Sequence, residues 1–138
     1  MRMPGWYDIM NFNSLEGQQD EVGILRSRSY FHDLIKTEVE GGISSDRIVI
    51  GGFSQGGAMS LISGITCLTR LGGIFGLSSY LLLQNKIKDL VPEGNPNKDT
   101  PIMMGHGAKD PLIKLEWAKL TAIKLTDLGW NVDLKVYP

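Results

Sequence analysis

With 138 residues, 42% of them hydrophobic and 21% charged, the chain has the composition of an ordinary globular domain, which excludes fibrous and disordered classes. Fourteen basic and fifteen acidic residues give a formal net charge of −1 without a long run of either sign, so nucleic acid is not an expected partner. The single cysteine, Cys67, favours a cytoplasmic protein, with a nuclear location left open. No apolar run reaches the roughly 18 residues of a membrane span, so stable membrane insertion is not expected.

Strand and helix patterns alternate along the chain from residue 20 onward. A helical spacing of apolar residues covers residues 20–40, a second helix is predicted from Gln55 to about Arg70, and a third over residues 112–128. Short apolar runs predict strands at residues 48–50, 73–77, 101–104 and 132–136. The stretch at residues 84–100 is rich in Asn, Lys, Asp, Pro and Gly, and it predicts a surface excursion with one helical turn.

This order of elements predicts an α/β fold, in which a mostly parallel sheet is covered by right-handed crossover helices on both faces. One domain over residues 1–138 is expected. In parallel sheets of this kind the functional residues follow the carboxyl ends of the strands. The site is therefore expected in residues 51–56, 78–83 and 105–113.

A serine lies at the junction between the first predicted strand and the helix that follows it. The sequence GGFSQGG at residues 51–57 contains the G-x-S-x-G pattern centred on Ser54. Glycines are needed around this serine because the turn is tight and strand and helix approach closely. The pattern predicts Ser54 as a nucleophile and the backbone N–H of Gln55, at the positive end of the helix, as an oxyanion donor. A serine that only caps the helix is the alternative.

The catalytic use of a serine hydroxyl requires a histidine base and an acid that holds the histidine in the correct tautomer. In the α/β-hydrolase type of fold the order along the chain is serine, acid, histidine. Asp110 follows the strand that ends near Met104 and is the candidate acid. An aspartate that caps its own loop is the alternative interpretation.

Four segments of the chain resemble the acyl-protein thioesterase and lysophospholipase family, also called carboxylesterase-like phospholipases. They are PGWYDI at residues 4–9, IGGFSQGGA at residues 50–58, GLSSYL at residues 76–81 and GHGAKDP at residues 105–111. The resemblance extends over nearly the whole chain and implies an α/β-hydrolase with Ser54 as nucleophile and Asp110 as acid. Many members of that family have an aspartate where this chain has Ala108, so the acid loop is expected to be less tightly organised.

Two further patterns of that family do not occur in this sequence. The family's catalytic histidine follows a Y-x-G-x-x-H pattern just after the last strand, whereas this chain ends at Tyr137 and Pro138. Its second oxyanion donor comes from an H-G-x-G-D loop near the amino terminus. The resemblance therefore implies a fragment truncated at both ends, without the amino-terminal strands and the carboxyl-terminal helix.

Both histidines of the chain have ordinary structural interpretations. His106 lies four residues before Asp110, and the resemblance implies a packing and hydrogen-bonding role for it in the acid loop. A role for His106 as a substitute base is the minor alternative. His32 is expected to be a half-exposed residue of the first helix.

The resemblance implies a serine hydrolase that cleaves acyl thioesters or esters, without a metal or organic cofactor. Its expected substrates are S-acylated proteins, from which it removes palmitoyl-like chains, or lysophospholipids. Tyr80, Leu81 and Leu112 are candidates for the wall of an acyl groove, with ordinary packing as the alternative. A short-chain carboxylesterase and an inactive truncated product are the alternative functions, and the oligomeric state is left open.

Overall fold

The computed structural model describes residues 4–9 and 18–138. That part of the chain contains strands and helices at the places that the sequence patterns predict. In chain order they are α1 (Glu21–Glu40), β1 (Val49–Phe53), α2 (Gln55–Ile65), β2 (Gly73–Leu77), α3 (Ile87–Leu90), β3 (Ile102–Gly107), α4 (Leu115–Asp127) and β4 (Val132–Tyr137). Short 3-10 turns precede β1 and α3.

The strands form one parallel sheet in the order β1-β2-β3-β4. Each new strand is added on the same side of the preceding one, and each connection contains a helix. Because the strands are parallel, their carboxyl ends meet along one edge of the sheet. The predicted site loops all leave the sheet from that edge.

One face of the sheet carries the core. Ile50, Ile74 and Ile102 lie side by side in register on β1, β2 and β3, and all three are buried. Helix α2 packs on this face, and every residue from 57 to 65 in it is buried. Gly64 permits this close packing, since a Cβ atom there would lie 2.6 Å from the Cδ1 atom of Ile74. Burial of these aliphatic side chains is the main driving force for folding.

The opposite face of the sheet is exposed in the described part of the chain. Val49 is 60% exposed, Phe53 70% and Met103 39%, although all three are apolar strand residues. The expectation of helices on both faces is therefore met on one face only. The reason lies in the strand order, because right-handed crossovers that always step in the same direction place their helices on the same side.

The segment at residues 84–100 is the surface excursion that its composition predicts, with one short helix, but it also buries two polar side chains. Asn97 is fully buried, accepts the backbone N–H of Leu71 at 2.8 Å and donates to the carbonyl of Thr69 at 2.9 Å. Thr100 is also fully buried and donates its hydroxyl hydrogen to the Asn97 side chain at 2.8 Å. Asn97 and Thr100 therefore bond to the loop after α2 or to each other instead of facing water.

Two element boundaries also differ from the prediction. Helix α2 ends at Ile65 and not near Arg70, and its C-cap is Thr66, whose backbone N–H bonds to the carbonyl of Ile62 at 3.3 Å. Strand β3 continues to Gly107, which places His106 inside the sheet. Among the described residues, no helix combines the length and the apolar character that a membrane crossing requires.

Candidate active site

Ser54 occupies a strained position between β1 and α2. Its backbone has φ 55° and ψ −120°, in the positive-φ region that residues other than glycine rarely adopt. Such a conformation costs about 1–3 kcal/mol and persists only where the surrounding structure enforces it. The side chain of Ser54 makes no capping hydrogen bond to α2. Its hydroxyl is therefore not used as a helix cap, which was the alternative interpretation of this serine.

The sharp turn at Ser54 requires a glycine two residues before it. A Cβ atom on Gly52 would lie 2.6 Å from the carbonyl carbon of Gly56 and 2.7 Å from its oxygen. These are backbone atoms of the first turn of α2, so they cannot move aside as the end of a flexible side chain could. Gly52 thus lets α2 begin directly against β1, and the helix points its positive end at Ser54.

Gln55 is the first residue of α2. The first backbone N–H groups of a helix have no acceptor within the helix, so they are available to a negatively charged oxygen. The carbonyl of Ser54 already accepts the N–H of Ala58 at 2.9 Å, which starts the helical hydrogen bonding immediately after the elbow. The N–H of Gln55 thus belongs to the first turn of α2, directly after Ser54.

Backbone hydrogen bonds continue the sheet beyond the ends of its strands and tie the site loops together. Ser54 donates its N–H to the carbonyl of Leu77 at 2.7 Å, and Ser78 donates to Gly105 at 2.8 Å. Ala108 in turn donates to the carbonyl of Tyr137 at 2.7 Å. The loops after β1, β2 and β3 are therefore fixed next to one another.

Asp110 lies in the loop after β3, two strands from Ser54. Its Oδ1 atom accepts the backbone N–H groups of Leu112 and Ile113, each at 2.9 Å. Partial burial alone would raise the pKa of Asp110, but these two hydrogen bonds, with smaller contributions from His106 and the Ser78 side chain, lower it below its ordinary value. Asp110 therefore stays ionised and well oriented, and it also caps its own loop.

Ser78 lies between the loops of Ser54 and Asp110, in the predicted site range 78–83, but it was not singled out as a site residue. It follows β2 directly, has a positive φ of 50°, and its side chain is near enough to Asp110 to help lower the pKa of that carboxyl. The strand β2 lies between β1 and β3, so Ser78 occupies the position between Ser54 and Asp110. The signals that could have found it were its place at the carboxyl end of a predicted strand and its place in the segment GLSSYL at residues 76–81.

His106 does not have the geometry of a base for Ser54. Its side chain has no exposed surface, and its Nε2 atom lies 2.7 Å from the carbonyl of Ile113. A carbonyl oxygen only accepts hydrogen bonds, so Nε2 must carry the hydrogen. The Nδ1 atom is buried without a partner among the described residues. His106 therefore orders the loop that holds Asp110, as the resemblance implies, and the substitute-base alternative is not supported.

His32 lies on α1, where its Nε2 atom is 2.8 Å from the carbonyl of Ser63 on α2. Ser63 is nine residues beyond Ser54, which corresponds to about 13 Å along a helix. Burial lowers the pKa of His32, which favours the neutral ring. His32 thus joins α1 to α2 away from the elbow, and neither histidine of the chain is placed to activate Ser54.

The three candidates for an acyl groove have different environments. Tyr80 is half-buried, contacts the Trp117 ring edge-to-face at 5.4 Å, and pairs its hydroxyl with that of Tyr7 at 2.7 Å. Leu112 is 58% exposed in the loop after Asp110. Leu81 is fully buried in the core, where its N–H donates to the hydroxyl of Thr121. This burial corrects the prediction for Leu81, because its side chain offers no surface to an acyl chain.

A parallel α/β sheet with a serine at a strand-to-helix elbow and an aspartate two strands away defines the α/β-hydrolase class. The sequence profile of the Phospholipase/Carboxylesterase family matches residues 1–138, and the chain belongs to that family. This membership agrees with the resemblance found in the four sequence segments.

Relatives with curated names are similar over the full chain. Acyl-protein thioesterase 1 of Neurospora crassa is 51% identical over 142 residues, which cover 100% of this chain and 58% of the relative. Acyl-protein thioesterase 1 of Gibberella zeae is also 51% identical, with 100% of this chain and 60% of the relative covered. The chain thus spans about three fifths of the length of these relatives.

A solved structure shows the same fold. The crystal structure of Arabidopsis thaliana SOBER1 matches with a TM-score of 0.87 and 28% identity, covering 97% of this chain and 63% of that protein. This structural match supports the same fold that the sequence comparisons indicate.

Proposed function

We propose that the complete gene product that carries these residues is a serine hydrolase, and that it cleaves acyl thioesters on S-acylated proteins. The observation that carries this proposal is the strained Ser54, whose hydroxyl does not cap the glycine-rich helix that starts behind it. The names of the relatives, acyl-protein thioesterase 1, support the thioester as substrate.

In the proposed reaction the Oγ atom of Ser54 attacks the acyl carbonyl while a histidine removes its proton. The backbone N–H of Gln55 stabilises the resulting oxyanion at the end of α2. The thiol of the substrate leaves with the proton from the histidine, and water then hydrolyses the acyl-enzyme by the reverse sequence of proton transfers. Asp110 holds the histidine in the tautomer that this sequence requires.

The histidine of this scheme is proposed to lie outside these 138 residues. Support comes from the bonding of His106 and His32, whose rings are both engaged elsewhere. The chain also spans only about three fifths of the relatives' length. Strands β1 and β3 are two strand spacings apart, about 10 Å, so the proposed histidine has to bridge the loops that carry Ser54 and Asp110. Residues 1–138 alone are accordingly expected to be inactive.

Lysophospholipid hydrolysis and short-chain carboxylesterase activity use the same residues on other esters, and they form the second part of the proposal. The exposed Leu112 and the half-buried Tyr80 lie in the loops that follow β3 and β2, where an acyl chain could contact them. The proposed location is the cytoplasm, which the single buried thiol of Cys67 supports.

The test is hydrolysis of a palmitoyl thioester by the complete product, with Ser54→Ala and Asp110→Asn as variants. Loss of turnover in Ser54→Ala without loss of folding supports the proposal, and a reduction by orders of magnitude is expected for Asp110→Asn. Undiminished turnover in Ser54→Ala refutes it. A series of nitrophenyl esters of increasing chain length separates a long-chain enzyme from a short-chain carboxylesterase, because each buried methylene adds about 0.8 kcal/mol of binding.

A further inference from the structure

The side chain of Gln55 is bonded to a distant part of the chain. Its Oε1 atom accepts the backbone N–H of Trp6 at 2.6 Å, and its Nε2 atom donates to the carbonyl of Tyr7 at 2.8 Å. One amide thus binds backbone groups of two successive residues, Trp6 and Tyr7, in the segment at residues 5–7, which we call the strap. Both polar atoms of the Gln55 side chain are used in these contacts.

The strap lies tightly against the start of α2. A Cβ atom on Gly5 would be only 2.9 Å from the Oε1 atom of Gln55, so the strap approaches this side chain at a position without a side chain of its own. The Trp6 ring packs on Phe31 of α1, with 4.7 Å between the ring centroids. The carbonyl of Trp6 accepts the hydroxyl of Ser27, also on α1.

At its other end the strap reaches the loop after β2. The hydroxyl groups of Tyr7 and Tyr80 are 2.7 Å apart, and Tyr7 is buried. The strap therefore connects α1, the first residue of α2 and the loop that follows β2. Gln55 is the contact at its centre, directly next to Ser54 in the chain.

The first turn of α2 needs support from outside the helix. Gly56 and Gly57 follow Gln55, and each glycine disfavours a helix by about 1 kcal/mol relative to alanine. Ser54, on the other side of Gln55, has a strained backbone. A helix start of this composition frays unless other contacts hold it. The two hydrogen bonds from Gln55 to the strap supply such contacts at the residue whose N–H is the oxyanion donor.

We propose that Gln55 has a second role as a positioning residue, in which its side chain holds the strap and thereby keeps its own backbone N–H directed at the reacting oxygen. This inference rests on the proposed function, because the oxyanion is part of that reaction. A donor that is displaced by a fraction of an ångström stabilises the transition state less, while substrate binding is unchanged. The side chain of Gln55 therefore affects turnover more than substrate affinity.

The experiment uses the complete gene product with two variants and a matched control. Gln55→Met keeps the length of the side chain but removes both hydrogen bonds, and Gln55→Glu keeps only the acceptor for the N–H of Trp6. The control is Gln19→Met, since the Oε1 atom of Gln19 also accepts a backbone N–H, that of Leu83 at 2.8 Å, but Gln19 is not part of the elbow. For each protein, kcat and KM on a palmitoyl thioester are measured, together with hydrogen exchange at the amide of Trp6.

Gln55→Met is expected to lower kcat about tenfold to a hundredfold, with KM changed less than about twofold. Its Trp6 amide should exchange faster than in the wild type. The kcat of Gln55→Glu should lie between those of Gln55→Met and the wild type, and the kcat of Gln19→Met should match that of the wild type. A kcat for Gln55→Met equal to that of Gln19→Met overturns the inference, as does a loss confined to KM. A wild-type protein without thioesterase activity instead refutes the proposed function, and with it this role.

Discussion

The backbone N–H of Ser54 donates to the carbonyl of Leu77 at 2.7 Å, which adds one hydrogen bond beyond the last register pair of β1 and β2, Phe53 with Leu77. The elbow is therefore fixed to the sheet on its strand side. On its helix side it is fixed by the contact of Gly52 with the first turn of α2. The strained backbone of Ser54 is held between these two restraints.

Gly52→Ala tests the second restraint. Its Cβ atom would collide with the backbone of Gly56 at 2.6 Å, so the strand and the helix must separate. We expect a loss of about 1–3 kcal/mol or more in the free energy of unfolding, measured by urea denaturation of the complete product. Gly73→Ala on β2 is the control, since the nearest atom to its Cβ would be at 3.6 Å, an ordinary contact. Equal effects of the two substitutions would show that the elbow is not tightly packed.

The hydroxyl pair of Tyr7 and Tyr80 gives a prediction about coupling. Tyr7→Phe and Tyr80→Phe should each lower the free energy of unfolding by about 1–2 kcal/mol, because the remaining hydroxyl loses its partner at 2.7 Å in a partly buried place. The double variant should cost clearly less than the sum of the single variants, because no hydroxyl is then left without a partner. A double-mutant cycle of unfolding free energies measures this coupling, and strict additivity would show that the pair contributes nothing.

His32 gives a prediction about pH. Burial lowers the pKa of His32 in the folded state below its ordinary value of 6.5, and the nearby Arg28 acts in the same direction, while the bond to Ser63 and the charge of Asp33 oppose this shift. As the pH falls below about 6.5, the unfolded chain binds a proton that the folded chain does not, so stability decreases. The decrease ends when the pH passes the lowered pKa of the folded state.

The variant His32→Gln keeps a donor for the carbonyl of Ser63 but cannot titrate. We expect its melting temperature to fall less than that of the wild type between about pH 7.5 and pH 5.5. Parallel curves of melting temperature against pH for the two proteins would contradict the assigned role of His32.

Two adjacent methionines on β3 allow the two faces of the sheet to be compared. Met104 is 1% exposed on the covered face, whereas Met103 is 39% exposed on the opposite face. In residues 1–138 expressed alone, Met104→Ala should cost about 2–5 kcal/mol. Met103→Ala should cost less than about 1 kcal/mol and should reduce aggregation, because it removes apolar surface from an uncovered face. Similar losses of stability at the two positions would mean that both faces are packed.

Local sequence patterns predicted the helices and strands well, because the spacing of hydrophobic residues and the glycines at the ends of these elements are properties of neighbouring residues. The motif around Ser54 was found for the same reason, since strand, turn and helix are contiguous there. The burial of Asn97 and the pairing of Tyr7 with Tyr80 were not predicted, because these contacts join residues far apart in the sequence. The strand order β1-β2-β3-β4 was not predicted, because the spacing of a strand pattern does not give the order of the strands.

Gly51 is another residue whose contacts could not be predicted from the local sequence, in this case within a single strand. The run of β-branched residues ends at Ile50, yet β1 continues through Gly51 and Gly52 to Phe53. A side chain at Gly51 would overlap the ring of Phe75 on the neighbouring strand. Gly51 therefore leaves room for a ring from the neighbouring strand, a contact across the sheet that the local sequence of β1 does not reveal.

Covalent labelling of the complete gene product with a fluorophosphonate probe, followed by mass spectrometry of the labelled peptide, tests the role of Ser54 most directly. One probe per chain is expected, attached to Ser54, with no labelling in Ser54→Ala, because only an activated serine at the elbow reacts with such a probe. Labelling at another serine, or undiminished labelling of Ser54→Ala, would contradict the assignment of Ser54 as the nucleophile.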